Sequence, residues 1–228
     1  MRAQPRQQRS QLSRLVLGAD PVRRALYIAG MAPAAWYFYR GVTDQLGIDP
    51  QNALERALGL WALRFLVASL AITPLRQLGG PNLIRYRRAL GLLAFYYAAM
   101  HLGVYMWLDK GFNVTAIVAD ILRRPYITVG MLAFVVLVPL AVTSNTAMIR
   151  KLGAHWRTLH RFAYLAAAAA ALHFIMLTKV WEKEPLIYAA LVVMLLLVRV
   201  IFASRARLRS VAQPNRLDTR PRTGSQRL

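Results

Sequence analysis

Two of the four histidines in this chain of 228 residues, His101 and His173, fall in apolar stretches, and a third, His160, stands just before one. His160 and His173 stand thirteen residues apart and bracket a run of alanines, Ala166–Ala171. An imidazole held in lipid needs a partner that offsets its burial, and haem iron is the partner that best suits several histidines on neighbouring helices. The chain contains no cysteine. Covalent c-type attachment, thiolate-ligated iron–sulfur clusters and disulfides are therefore excluded, so a haem here is non-covalent, of b type and held by histidine. No Gly-x-Gly-x-x-Gly follows a strand pattern, and Gly79-Gly80-Pro81 reads as a turn. Without a dinucleotide-binding domain, electrons must come from another molecule.

The elements that position these histidines are membrane helices. Hydrophobic residues make up 57% of the chain, and uncharged stretches recur at Ala25–Tyr39, Ala89–Leu108, Pro125–Ile149, Phe162–Thr178 and Pro185–Val198. A further stretch, Ala57–Pro74, is interrupted only by Arg64. A helix of roughly 20 residues crosses a hydrocarbon layer of about 30 Å, so the pattern predicts six spans, near 24–42, 54–75, 88–108, 126–146, 158–178 and 185–204. The expected fold is an all-α integral membrane protein, a six-transmembrane-helix bundle. Residues 1–23 form a basic N-terminal segment, 24–204 the membrane domain, and 205–228 a basic, disordered tail lying against anionic lipid.

Charge placement orients the bundle. The chain carries 30 basic and nine acidic residues, a net charge of +21. Most of the basic ones fall in alternate connections: Arg2 to Arg24, Arg76 to Arg88, Arg150 to Arg161, and the arginines after Ala203. Asp44, Asp49, Glu55, Asp109, Asp120, Glu182 and Glu184 fall in or beside the other connections. By the positive-inside rule both termini are cytoplasmic. The same ordering accounts for the basicity, so the sequence does not read as a nucleic-acid binder. Arg23-Arg24 before an apolar run with Pro33-Ala34-Ala35 resembles an export signal, but the run continues into Trp36-Tyr37-Phe38-Tyr39. That is an aromatic belt, and an uncleaved first span is expected.

Depth sorts the histidines. Span three rises from the inner face, so His101 lies about 18 Å up, and His173 on span five is about 20 Å above His160. His101 and His173 are level and can ligate one iron from opposite faces; interhelical hydrogen bonding is the other use of either. His160 stays near the inner surface, beside Arg87, where a second haem, a flavin (FMN) or a plain solvated side chain are the alternatives. On an ideal helix His160 and His173 lie about 140° apart, so they share a face only if the helix is irregular or His160 precedes its regular part. Arg64 either pairs with an outer haem propionate or snorkels to the outer interface. His155, in the basic loop, is expected to be an ordinary surface residue.

Arg87-Arg88-Ala89-Leu90-Gly91-Leu92 leading to Met100-His101-Leu102, with Ile72-Thr73-Pro74 before Leu75, resembles the MsrQ (YedZ) family. So do Arg124-Pro125-Tyr126, Lys151-Leu152-Gly153 with Trp156, Leu159-His160, His173, and Pro185-Leu186-Ile187-Tyr188-Ala189. These are the haem-binding membrane subunits of bacterial periplasmic methionine sulfoxide reductase systems, in the ferric-reductase-like transmembrane group. The resemblance covers roughly residues 25–203. In the larger group spans three and five usually carry two haem-ligating histidines each; this chain matches with His101, His160 and His173 and has Arg87 where the fourth would fall. The resemblance implies an inner-membrane electron conduit, a subunit of an oxidoreductase rather than its catalytic part. Electrons would pass from quinol or a cytoplasmic flavin reductase, through haem b, to a periplasmic molybdopterin subunit that reduces methionine sulfoxide in proteins. Two other classes stay open. One is a stand-alone ferric or quinone reductase, and the other a non-redox transporter or assembly factor using the histidines for packing or proton relay.

Overall fold

Prolines and short polar side chains set where the helices begin. Pro21, Pro50 and Pro125 each open a helix, where the missing N–H costs nothing. Asp49 caps the second helix by accepting from the amide of Asn52 at 3.0 Å; Asn113 and Asn145 do the same for Ala116 at 3.0 Å and Met148 at 2.8 Å. The computed structural model describes residues 21–178 and 182–212. The expected basic segment 1–23 lies outside that range except for its last three residues, and of the expected tail only 205–212 lies inside it.

In chain order the helices are α1 (Pro21–Val42), α2 (Pro50–Gln77), α3 (Ile84–Val104) with a π turn at Tyr105–Asp109, and α4 (Val114–Arg123). They continue with α5 (Pro125–Val142), α6 (Thr146–Leu152), α7 (Ala154–Leu159), a 3₁₀ turn at His160–Phe162, α8 (Ala163–Leu177) and α9 (Lys183–Ala212). No strand occurs among the described residues. Five helical stretches are long and apolar enough to cross a membrane: Pro50–Gln77, Ile84–Asp109, Pro125–Val142, Ala154–Leu177 and Lys183–Arg205. The sixth expected span, α1, has 22 residues, enough to cross, but its glycine, alanine, proline and tyrosine content leaves it less apolar than the other five.

The main core forms where α3 packs on α2 and α8 packs on α5, with α9 against α8 and α1 against the first pair. Leu58, Leu70, Leu93, Ala94, Tyr97, Ala166, Ala167 and Val192 are buried at its centre. Small residues allow the close approaches. Ala166 and Ala167 are fully covered, and a Cβ on Gly30 would lie 2.6 Å from the Leu93 side chain. Tyr97 ties α1 to α3 by donating to the carbonyl of Gly30 at 2.7 Å and accepting from the amide of Ala34 at 2.9 Å. The outer faces are apolar and open, as at Val135, Val193, Leu197 and Val200. A surface of that kind is one that lipid covers.

Two connections depart from the expected loops. The stretch 109–125 contains α4, an amphipathic helix that packs on α5 through Ile117. Span four stops at Val142, before the expected 146, because Thr143 turns its hydroxyl back onto the carbonyl of Pro139 at 2.7 Å and Asn145 starts α6. Gly153, with φ of 52°, then joins α6 to α7 in a conformation that favours glycine.

Candidate functional site

His101 on α3 and His173 on α8 face one another across the middle of the bundle, with ring centroids 6.3 Å apart and ring planes at 74°. Each imidazole is fixed by the helix paired with its own. Nδ1 of His101 donates to the carbonyl of Glu55 on α2 at 2.9 Å, and Nδ1 of His173 donates to the carbonyl of Tyr126 on α5 at 2.7 Å. A carbonyl only accepts, so the proton sits on Nδ1 and Nε2 of both rings keeps its lone pair.

The same device is built twice. One helical turn beyond each carbonyl stands a glycine, Gly59 after Glu55 and Gly130 after Tyr126. A Cβ there would meet Nδ1 of His101 at 3.1 Å and Nδ1 of His173 at 2.8 Å. Any side chain would push the ring away from its carbonyl, so the two glycines are what let each histidine reach the backbone of the neighbouring helix.

Both imidazoles line a cavity of about 410 Å³, the size range of cofactor sites. Leu63, Leu66, Leu137 and Phe174 form apolar wall, and Glu55, Arg56 and Arg124 bring charge to it. Among the described residues no group of three or more histidine, cysteine, aspartate or glutamate side chains could hold a bare metal ion. Two opposed imidazoles in an apolar cavity do match a haem, which supplies its own four equatorial nitrogens and needs two axial ones. Metal–imidazole bonds of about 2 Å, plus about 1 Å from nitrogen to ring centre, put two imidazoles on one metal about 6 Å apart centre to centre. The observed 6.3 Å fits that spacing.

At one end of the cavity the π turn delivers a polar cluster. Lys110 binds Asp109 at 2.9 Å and Asp120 at 2.8 Å. Tyr105 donates to Asp120 at 3.2 Å, Arg124 meets the same carboxylate at 3.3 Å, and Arg124 also donates to the Tyr126 hydroxyl at 3.2 Å. The hydrogen bond from Lys110 holds the Asp120 carboxyl below the usual range, and the two carboxylates raise Lys110 above its own. Through α4 and Arg124 this cluster braces Tyr126, whose carbonyl orients His173. Arg56, across the cavity mouth, pairs with Glu182 at 2.6 Å.

Arg64 does not line this cavity. Its guanidinium donates to the Tyr188 hydroxyl at 2.9 Å, lies 3.7 Å from Glu184, and stacks over Trp61 at 4.9 Å. His155 is exposed on α7.

His160 lies apart from the other two, in the 3₁₀ turn, so the ideal-helix offset from His173 does not apply. Its ring stacks on Trp156 at 3.9 Å, and Nε2 meets the Thr143 hydroxyl at 3.2 Å. That hydroxyl spends its proton on Pro139 at 2.7 Å, so Nε2 of His160 is the donor and Nδ1 carries the lone pair. This is the opposite tautomer to His101 and His173. Arg87 lies within electrostatic reach of His160, and the carbonyl of Arg87 accepts from Ser69 at 3.1 Å.

Residue types and spacing left Gly59, Gly130, Thr143 and Arg56 unmarked, and Arg124 and Trp156 entered only through the family resemblance, with no role assigned. The glycines had a signal: a glycine inside a membrane span implies close approach by another chain. The carbonyls of Glu55 and Tyr126 had none, because a backbone acceptor has no sequence signature.

The family model described as "Ferric reductase like transmembrane component" matches residues 58–171, a stretch that includes His101 and His160. The chain is 58% identical over 175 residues to proteins of Brucella ovis, Brucella suis and Brucella abortus, covering 77% of this chain and 80% of each relative. Each of those is named "Protein-methionine-sulfoxide reductase heme-binding subunit MsrQ". With its all-helical fold, its five apolar spans and this match over most of its length, the chain is a multi-pass inner-membrane protein belonging to the MsrQ family of ferric-reductase-like transmembrane proteins.

Proposed function

We propose that this protein is the electron-transfer subunit of a periplasmic methionine sulfoxide reductase, with one b-type haem between His101 and His173. The observation that carries the reading is the pair of opposed imidazoles whose Nδ1 protons are committed to the carbonyls of Glu55 and Tyr126. Those bonds hold the rings in place and make Nε2 more basic, as outer partners of metal-bound histidines do. The apolar wall keeps water from the iron site, and Arg56 and Arg124 offer guanidinium groups to the propionates. A bound haem supplies the one-electron couple; the substrate chemistry belongs to the partner.

The bundle crosses the membrane six times, with α1 as the first span and both termini in the cytoplasm. In this orientation the basic end, with Arg76, Arg87 and Arg150, faces inward, and the acidic connections after α1, α3 and α8 face the periplasm. Electrons from quinol or from a cytoplasmic flavin reductase arrive near His160 and Arg87. They leave from the His101–His173 level toward a periplasmic molybdopterin subunit docked on the acidic face. A second haem or FMN at the basic end would have to use Nδ1 of His160 or displace Thr143.

The test is the absorption and EPR spectrum of the purified chain. A reducible Soret band with a low-spin bis-imidazole signal is expected, and a purified, haem-supplied chain lacking both would overturn the reading. Coupling is then read as quinol-driven methionine sulfoxide reduction by the chain together with its periplasmic partner. A full rate of quinol-driven reduction of ferric iron by the chain without any protein partner would point instead to a stand-alone reductase.

A further inference from the structure

We propose that α4 is an in-plane lipid anchor: with the loop before it, it lies in the head-group boundary of the leaflet at the acidic end of the bundle, its open apolar face against the acyl chains. Chain length keeps it there. α4 sits between two spanning stretches, Ile84–Asp109 and Pro125–Val142, and only Arg124 separates its last residue, Arg123, from Pro125. Leu122 is three residues from Pro125, a reach of about 10 Å at most. The helix therefore cannot stand clear of the membrane boundary.

One face of α4 is apolar, and only its edge is used inside the protein. At about 100° per residue, Ile117, Val114, Val118 and Leu122 form an arc of about 140°. Ile117, at one edge, is buried where α4 packs on α5. The rest is open: Val114 is 70% exposed, Val118 48% and Leu122 80%. Arg123, also exposed, stands about 180° from Val114. An apolar arc of that width opposite a cation is the pattern of a helix lying in a membrane interface.

The loop before α4 extends the same surface. Trp107 and Phe112 are 66% and 59% exposed, and tryptophan is a residue of membrane interfaces. Phe112 is fixed at φ 58°, a left-handed conformation that an aromatic residue rarely adopts. Its amide donates to the Met106 carbonyl at 2.8 Å, and that of Gly111 to the Trp107 carbonyl at 3.0 Å. Strain that presents a bare ring outward marks a surface with something to cover it.

Continuity makes that cover lipid. α5, on which Ile117 rests, carries open apolar side chains at Leu132 and Val135, and flanks of this kind are what lipid covers. The open arc of α4 begins at the contact with α5, so it prolongs that flank to the boundary. A protein arriving from water meets the side of Arg123 instead. Asp120 lies beyond Ile117 on the inward side, paired with Lys110 and Arg124. Lipid on one face and ion pairs on another thus hold the segment that leads into Tyr126. The anchor requires no haem, so it stands independently of the electron-transfer reading.

The chain has no cysteine, so one introduced cysteine carries a nitroxide label at a single known place. The full-length protein is reconstituted in vesicles of phosphatidylcholine and phosphatidylglycerol. EPR power saturation then compares collisions with oxygen, which concentrates in lipid, and with a water-soluble nickel chelate. Labels at Val118→Cys and Leu122→Cys should favour oxygen, as a label at Val135→Cys on the flank of α5 does, whereas one at Arg123→Cys should favour the chelate. Adding Val118→Asp should reverse the preference of the label at position 122. Labels at 118 and 122 that behave like the one at 123 would place the arc in water and overturn the proposal. So would labels that leave water only when the periplasmic partner is added, since that gives the face to a protein. Should one cysteine prevent folding, Val114→Cys on the same arc takes its place with the same expected result.

Discussion

Replacing Gly130 by alanine isolates what positions His173, the proposed haem ligand, because the change adds one methyl group and removes no imidazole. The added Cβ would lie 2.8 Å from Nδ1 and 2.9 Å from Cε1 of His173, whereas ordinary contact needs about 3.5 Å. The ring must therefore retreat by several tenths of an ångström. It cannot do so freely, since Nδ1 is held by the carbonyl of Tyr126 at 2.7 Å. Either that hydrogen bond breaks or Nε2 swings away from the iron. Overpacking of this kind costs about 1–3 kcal/mol, and loss of an outer partner of a metal-bound histidine typically costs about 10–100-fold in affinity. Gly130→Ala should lose haem affinity within that range. At Gly59 the added Cβ would lie 3.1 Å from Nδ1 of His101, so Gly59→Ala should do the same less severely. Gly103, two residues beyond His101, would have nothing within 4 Å of an added Cβ, and Gly103→Ala should bind haem normally. The assay is haem titration of the purified apoprotein followed at the Soret band, with EPR reporting the ligand field. Gly130→Ala and Gly59→Ala proteins with wild-type affinity and spectra, or damage in the reverse order, would refute the reasoning.

Other perturbations separate the remaining roles. His101→Ala or His173→Ala should abolish the bis-imidazole EPR signal, while His155→Ala, altering an exposed ring, should leave the absorption spectrum unchanged. Removing a cation beside the haem disfavours the extra electron, so Arg56→Gln and Arg124→Gln should lower the midpoint potential by tens of millivolts, on the order expected for a partly screened charge. Arg64→Gln should shift the potential less, because Arg64 is committed to Tyr188 and Glu184 away from the cavity; a redox titration orders the three. The Asp120 cluster should give stability a defined pH window. Asp120 titrates below its ordinary value, so its contribution is present above about pH 4 and is lost as pH falls through the lowered value. Lys110 titrates above its ordinary value, so its contribution is complete below about pH 10 and is lost at still higher pH. The difference in melting temperature between wild type and Asp120→Asn should therefore stay level from about pH 5 to 9 and shrink in acid; a difference that grew below pH 4 would contradict the assignment.

The sequence by itself determined the membrane setting, because apolar stretches of spanning length cannot be hidden otherwise, and it narrowed the chemistry, because a chain without cysteine leaves histidine as the ligand of the proposed haem. It also determined that His101 and His173 are level, since rise per residue is fixed along a helix. Tertiary structure alone decided how those rings are aimed. The carbonyls of Glu55 and Tyr126 are present at every residue of every chain, and only the packing of α3 on α2 and α8 on α5 selects these two. Gly59 and Gly130 were visible as residues, but their purpose depends on which ring lies opposite. The periodicity of an unbroken helix does not set the angle between His160 and His173, because His160 lies in a 3₁₀ turn that precedes the regular helix. Arg64 and Arg199 are both lone cations within apolar spans, and the sequence cannot say which partners each finds. In the folded protein Arg64 reaches Glu184, while the partners of Arg199 among the described residues are the Tyr164 hydroxyl and the Leu70 carbonyl: the described acids are gathered at the end of the bundle where Arg64 lies.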